Sequence, residues 1–141
     1  MTQQPGGGAS VELSARVEWI DTDAAGIYHN SSVLRWVESA EAELMRQRGI
    51  DGYFGVAPRV RFEVDFGAPL FFEQQVTVLL AVTRVGTSSL TFGFEVWGEE
   101  HRAEPRARAA VGSYTTVHVA GSHGRGARSA PWPPDWVARL S

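Results

Sequence analysis

Two carboxylates stand close together near the front of the chain, in the run Asp21-Thr22-Asp23-Ala24-Ala25-Gly26. Just beyond lie His29 and the triplet Asn30-Ser31-Ser32, whose short polar side chains favour helix N-caps. A carboxylate can attack a carbonyl carbon itself and form an anhydride, or it can take a proton from water so that the water attacks. Either route puts negative charge on the carbonyl oxygen. A helix N-terminus offers that oxygen unpaired N–H groups and partial positive charge. A carboxylate set just before such a pole is a minimal acyl-transfer site, with no need of lysine or metal. Losing one oxyanion donor typically costs about 3 kcal/mol of barrier. Either carboxylate could take the chemical role; for Asp21 the part of a loop or cap residue, a common use of Asp in turns, is equally open. His29 has two open roles: orienting water or substrate, or sitting half-exposed beside the cap.

Other meanings of these residues fit less well. In an EF-hand, the fifth position of the loop needs an oxygen ligand and the twelfth a Glu; here they are Ala25 and Ser32. A phosphatase of the haloacid dehalogenase type also opens with D-x-D after a strand. It needs an α/β domain with repeated crossovers, and usually a lysine. His101, His118 and His123 stand singly, without ligand spacing, and no metal site is expected.

The elements around the loop follow from hydrophobic periodicity. Val11, Leu13, Ala15, Val17 and Trp19 alternate with Glu12, Ser14, Arg16 and Glu18, predicting a strand from Val11 to Ile20 with one dry face. Val33, Leu34, Val37, Ala40, Leu44 and Met45 recur at three- and four-residue steps and predict an amphipathic helix over about 31–48. Glu38, Glu41 and Glu43 are placed on its remaining faces. Arg46 and Arg48 suit its negative pole, and Gly49 suits a C′ residue. Arg35 is expected in solvent and Trp36 at the edge of the core.

The rest reads as strands. Val60, Phe62, Val64 and Phe66 alternate with charged residues; Val76 to Val85 is apolar and β-branched; Leu90, Phe92, Phe94 and Val96 alternate again; Ala107, Ala109, Val111, Ser113, Thr115 and Val117 share a face. Short polar turns between them favour antiparallel hairpins. The expected fold is α+β: a five-stranded, curved antiparallel sheet wrapped around one long central helix. The expected organisation is a flexible leader over 1–9, one domain over 10–120 and a loose tail over 121–141, which Trp132 and Trp136 could dock.

Composition narrows the chemistry. The chain has 141 residues, enough for one core, with 43% hydrophobic and 21% charged residues. A net charge of −3 argues against nucleic acid as a partner. Every basic residue is Arg and there is no Cys, which excludes Schiff-base lysines, Walker loops, thiolate nucleophiles, cysteine–zinc sites and disulfides. No stretch approaches the roughly 20 apolar residues of a membrane span. The first ten residues lack a signal-peptide pattern. A soluble cytoplasmic protein is expected, without membrane association.

The run from Asp21 to Ile27, followed by a helix with Glu38 twelve positions after Gly26, resembles the hotdog-fold acyl-CoA thioesterases, closest to their 4-hydroxybenzoyl-CoA thioesterase and YbgC-like branch. The shared pattern is D-x-D-x-x-G-[IV], an acidic residue on the helix and then strands alone. The likeness covers roughly 10–120 and is concentrated in 19–45. It implies that Asp23 is the catalytic carboxylate and that the Asn30 amide holds the thioester oxygen. It implies that Glu38 borders or supports the site, and that the pocket is completed across a homodimer or homotetramer interface. Three departures mark this chain. Val33 stands where the family often has Tyr, and His29 stands where many relatives have an aromatic residue. Gly86-Thr87-Ser88-Ser89 replaces a basic, phosphate-gripping turn, leaving Ser89 as a hydroxyl contact.

The expected activity is hydrolysis of an acyl thioester to free acid and thiol. Asp23, His29 and Asn30 form the catalytic group; Val33, Val37, Glu38 and Ser89 bind substrate. No cofactor is implied beyond the coenzyme A or phosphopantetheine that belongs to the substrate. The carrier is coenzyme A or an acyl carrier protein, the latter matching the absent basic turn. Two rivals remain: an enoyl-thioester hydratase or dehydratase pairing Asp23 with His29, and a binding domain without turnover.

Overall fold

The computed structural model describes residues 8–23, 28, 30–120 and 126–141. The elements run β1 (Ser10–Arg16), a 3-10 turn (Trp19–Asp21), α1 (Asn30–Gln47), a second 3-10 turn (Tyr53–Gly55), β2 (Arg59–Phe66), β3 (Gln75–Val85), β4 (Ser89–Gly98), β5 (Ala107–Val117), β6 (Val119–Ala120), β7 (Arg128–Ser129) and α2 (Pro134–Leu140). Among the described residues the main sheet has five strands, all paired antiparallel, in the order β1-β3-β4-β5-β2. Irregularities of register at Arg59/Arg61, Val82/Arg84 and Val96/Trp97 bend the strands and increase their twist.

The inner rows of the sheet, Val76, Val78, Leu80 and Val82 on β3 and Leu90, Phe92, Phe94 and Val96 on β4, are buried with α1 in one core. The buried face of α1 comprises Ser32, Val33, Trp36, Val37, Ala40, Glu41, Leu44 and Met45. Trp36 thus belongs to the core itself, and Glu41 does too. Steps of four from Val37 through Glu41 to Met45 put Glu41 on the apolar stripe whatever its charge.

Several sequence expectations need correction. β1 stops at Arg16; Trp19 is 76% exposed rather than on a dry face, and Ile20, expected to end the strand, is 78% exposed. The Glu18 amide donates to the Asp21 carboxylate at 2.8 Å, and this capping box turns the chain before alternation can continue. On β5, Ala110, Tyr114 and Thr116 face the core, while Val111, Ser113 and Thr115 lie on the other face.

The described part of the C-terminal stretch is packed, not loose. Trp132 stacks on Tyr53 with centroids 6.1 Å apart, its indole N–H donates to the Ser89 carbonyl at 3.0 Å, and Leu140 of α2 is buried. Ala9, placed in the leader by sequence, is also buried, and its N–H donates to the Leu140 carbonyl at 3.2 Å.

Candidate active site

The site is assembled where the chain passes from β1 to α1. An isolated antiparallel bridge joins Thr22 to Tyr28 and closes the loop between them. Asp23 leaves one side of that bridge, and two residues past the other side α1 begins at Asn30. Bridged residues lie about 5 Å apart, so Thr22, with Asp23 next to it, lies beside Tyr28, two residues before the helix begins. Both Asp23 and Asn30 are exposed there. Tyr28 anchors the loop: its N–H donates to the Leu70 carbonyl at 3.1 Å, its hydroxyl to the Ala109 carbonyl at 3.3 Å, and its ring stacks on Trp36.

Asp21 pins the loop to the helix. It is 1% exposed and accepts from the Glu18 amide, from Ser32 Oγ at 3.1 Å and from the Arg35 guanidinium. Burial pushes its carboxyl up, but the Glu18 amide, Arg35 and Ser32 outweigh this and hold it below the ordinary carboxylate range. Arg35 therefore has a defined partner rather than solvent alone. Of the two aspartates, Asp21 is fixed inside and Asp23 is exposed.

The remaining sequence-predicted residues are not all gathered here. His29 lies outside the described residues. Val33 and Val37 are fully buried in the core beneath the helix. Glu38 sits about two turns up α1, half-exposed, and accepts from Arg59 at 3.2 Å. Ser89 begins β4, whose other end, Gly98, shares an end of the sheet with the Asp23 loop. Nine residues of strand span about 30 Å, so Ser89 and Asp23 of one chain are at opposite ends of the sheet.

Sequence reasoning missed the buried acid that shares Arg59 with Glu38. Glu41 is 1% exposed and accepts from the Tyr53 hydroxyl at 2.7 Å and from Arg59 at 3.1 Å. Arg59 lies over the Tyr114 ring at 4.8 Å, and Tyr53 also meets Thr116 Oγ1 at 2.8 Å. Burial pushes the Glu41 carboxyl up, against the pull of Tyr53 and Arg59. The signal available was spacing: Glu41 occupies a stripe position.

A second concavity lies at the same end of the sheet as Asp23. A cavity of about 360 Å³ is lined by Phe71, Phe72, His101, Arg102 and Glu104. Gln74 joins its two walls, accepting from the Phe71 amide at 3.0 Å and donating to the Glu99 carbonyl at 2.9 Å. His101 and Glu104 exchange backbone hydrogen bonds at 3.0 and 2.9 Å around Arg102 and Ala103, which have φ of 47° and 71°. Such a turn normally uses Asn or Gly. Phe72 meets Trp19 edge-on at 5.6 Å.

Comparison with known proteins places this arrangement. The thioesterase superfamily matches residues 25–104. A candidate esterase of Aquifex aeolicus (strain VF5) is 28% identical over 92 residues, covering 60% of this chain and 70% of that one. The fold superposes on 4-hydroxybenzoyl-CoA thioesterase from Pseudomonas sp. strain CBS-3 with a TM-score of 0.83 at 17% identity, covering 94% of this chain and 99% of that one. It superposes on a 1,4-dihydroxy-2-naphthoyl-CoA thioesterase from Synechocystis with a TM-score of 0.79 at 20% identity, covering 92% and 94%. The long helix and the five-stranded antiparallel sheet agree with the hotdog architecture, and the chain belongs to the thioesterase superfamily.

Proposed function

We propose that the protein hydrolyses an acyl thioester carried on coenzyme A or on the phosphopantetheine arm of a carrier protein, with Asp23 as the reacting carboxylate. The observation that supports this reading is the Thr22–Tyr28 bridge together with the Ser32–Asp21 hydrogen bond, which tie the residues just before Asp23 to the start of α1. The amides of that turn have no intrahelical partners, and Asn30 is the first of them. A thioester oxygen resting there meets the positive pole of the helix as its charge grows. Asp23 then takes a proton from water, whose oxygen attacks the carbonyl carbon. Alternatively Asp23 attacks directly, forms a mixed anhydride, and water cleaves it. In both routes the carbon–sulfur bond breaks and the thiolate leaves to be protonated.

The second half of the proposal is that two copies build each site. β2 is an edge strand, and Val60 and Phe66 along it are 61% and 42% exposed. Antiparallel pairing of β2 with its copy buries this row and inverts one sheet against the other. The partner's Ser89 turn is then brought toward this chain's Asp23 end, which a single chain does not achieve.

Replacing Asp23 with Asn tests the chemistry. The expected result is a fall of at least about a hundredfold in thiol release from acyl thioesters, as for loss of a general base or nucleophile. Turnover within about threefold of wild type, under ~1 kcal/mol of barrier, removes Asp23 from the mechanism.

A further inference from the structure

We propose that the cavity between the 70–74 and 101–104 turns receives a purine nucleoside phosphate, which in a coenzyme A thioester is the far end of the substrate. The inference rests on the thioesterase reading and names its carrier. The Gly86–Ser89 turn itself offers a nucleotide phosphate no basic residue, the nearest in sequence being the exposed Arg84 before it. The phosphate's chemistry is met instead at the Asp23 end of the sheet.

Four observations converge on this cavity. Its volume, about 360 Å³, falls in the range of small-ligand sites. One wall is aromatic: Phe71 and the exposed Phe72, with the exposed Trp19 edge-on to Phe72, offer flat apolar surface to a purine. The facing turn carries Arg102, whose guanidinium matches phosphate geometry, and Glu104, whose carboxylate can accept from a purine amine or a ribose hydroxyl. Beside them, His101 has a buried Nε2 with no hydrogen-bond partner among the described residues.

Backbone strain marks the same place. Among the described residues the left-handed non-glycine positions are Glu73, Arg102 and Ala103, and all three flank this cavity. Residues held in such conformations cluster at ligand clamps because the surrounding structure over-determines them. Here the restraints are visible. The Glu73 amide donates to the Val17 carbonyl at 2.9 Å, and Arg16 donates to the Glu73 carbonyl at 3.0 Å. The Glu73 carboxylate stands 3.6 Å from Arg102 and holds the guanidinium at the rim, where a more highly charged phosphate competes for it.

The test uses the whole chain and two readouts. Adenosine bisphosphate, adenosine and inorganic phosphate are titrated calorimetrically into wild type, Phe72→Ala and Arg102→Gln. The ratio of KM for an acyl-CoA to KM for the same acyl-pantetheine is measured in parallel. The expected result is that the bisphosphate binds more tightly than either fragment. Each variant should weaken that binding, and raise the KM ratio, by about tenfold, the scale of one lost charge-assisted or stacking contact. The proposal is overturned if the bisphosphate does not bind, or if neither variant changes binding or the ratio. Because calorimetry needs no turnover, a protein that binds the nucleotide yet releases no thiol keeps the cavity assignment and loses the hydrolase reading. A hydrolase with equal KM on both carriers loses only the cavity.

Discussion

At the residue scale, the two buried carboxylates pull in opposite directions. The folded protein favours ionised Asp21, because an amide, a hydroxyl and a guanidinium all point at it. Its contribution to stability is present above the unfolded pKa of about 3.9 and is lost as pH falls through the lower folded value. Glu41 behaves in reverse: burial favours its neutral form, so its contribution is largest below about pH 4.3 and declines as pH rises toward the raised folded value. Urea unfolding between about pH 3 and about pH 8 separates them. Asp21→Asn should flatten the acid limb of the stability profile and cost about 1–2 kcal/mol at neutral pH. Glu41→Gln should gain relative to wild type as pH rises from about 4 to about 7. Identical profiles for all three proteins would refute both assignments. For Asp21 the sequence left a cap or loop role open beside a chemical one. The burial of Glu41 was not legible, because a residue's charge argues for the surface while its helical phase argues for the core, and here phase wins with Tyr53 and Arg59 as partners.

At the element scale, the sheet depends on close approach at one glycine. A Cβ on Gly112 of β5 would lie 2.1 Å from the Glu63 carbonyl oxygen and 2.6 Å from the Phe94 ring. Phe94 is itself stacked on Phe62 of β2 at 5.5 Å, so the neighbours have little room to yield. Gly112→Ala should therefore destabilise by about 1–3 kcal/mol, the range for overpacking. Thermal unfolding measures it, and an unchanged Tm would mean that the β2–β5 spacing is softer than described. Alternation located four of the sheet strands, an apolar β-branched run the fifth, and three- and four-residue steps the helix, because a buried face imposes its period on sequence. The turn at Trp19–Asp21 was hidden, since Trp19 continued the alternation while the Glu18–Asp21 capping box redirected the backbone. β5 was placed correctly, but its core face was not identified. Ala107, Ala109 and Val111 look like an apolar row, yet the irregularity opposite Val96 and Trp97 shifts the phase and brings Tyr114 inward.

At the scale of the whole molecule, one chain leaves apolar surface uncovered on an edge strand. Edge strands with exposed apolar residues invite pairing, and the proposed second copy would satisfy both the backbone and the row containing Val60 and Phe66. Val60→Glu and Phe66→Glu should shift the light-scattering mass from dimer or higher to monomer and should remove turnover with it. Asp23→Asn should keep the wild-type mass. Full activity in a monomeric variant would show that each chain builds its own site. By itself the sequence determined the order of elements and the D-x-D-x-x-G loop before a helix, because these are local patterns of period, capping and turn chemistry. Only the tertiary structure decided which aspartate is clamped and which is presented, that Glu41 is buried, and that Ser89 lies a sheet's length from Asp23. Those facts depend on which distant segments meet: Asp21 with Ser32 and Arg35, Glu41 with Tyr53 and Arg59, and β3 with both β1 and β4. Contacts between residues far apart in the chain leave no periodic trace in a single sequence.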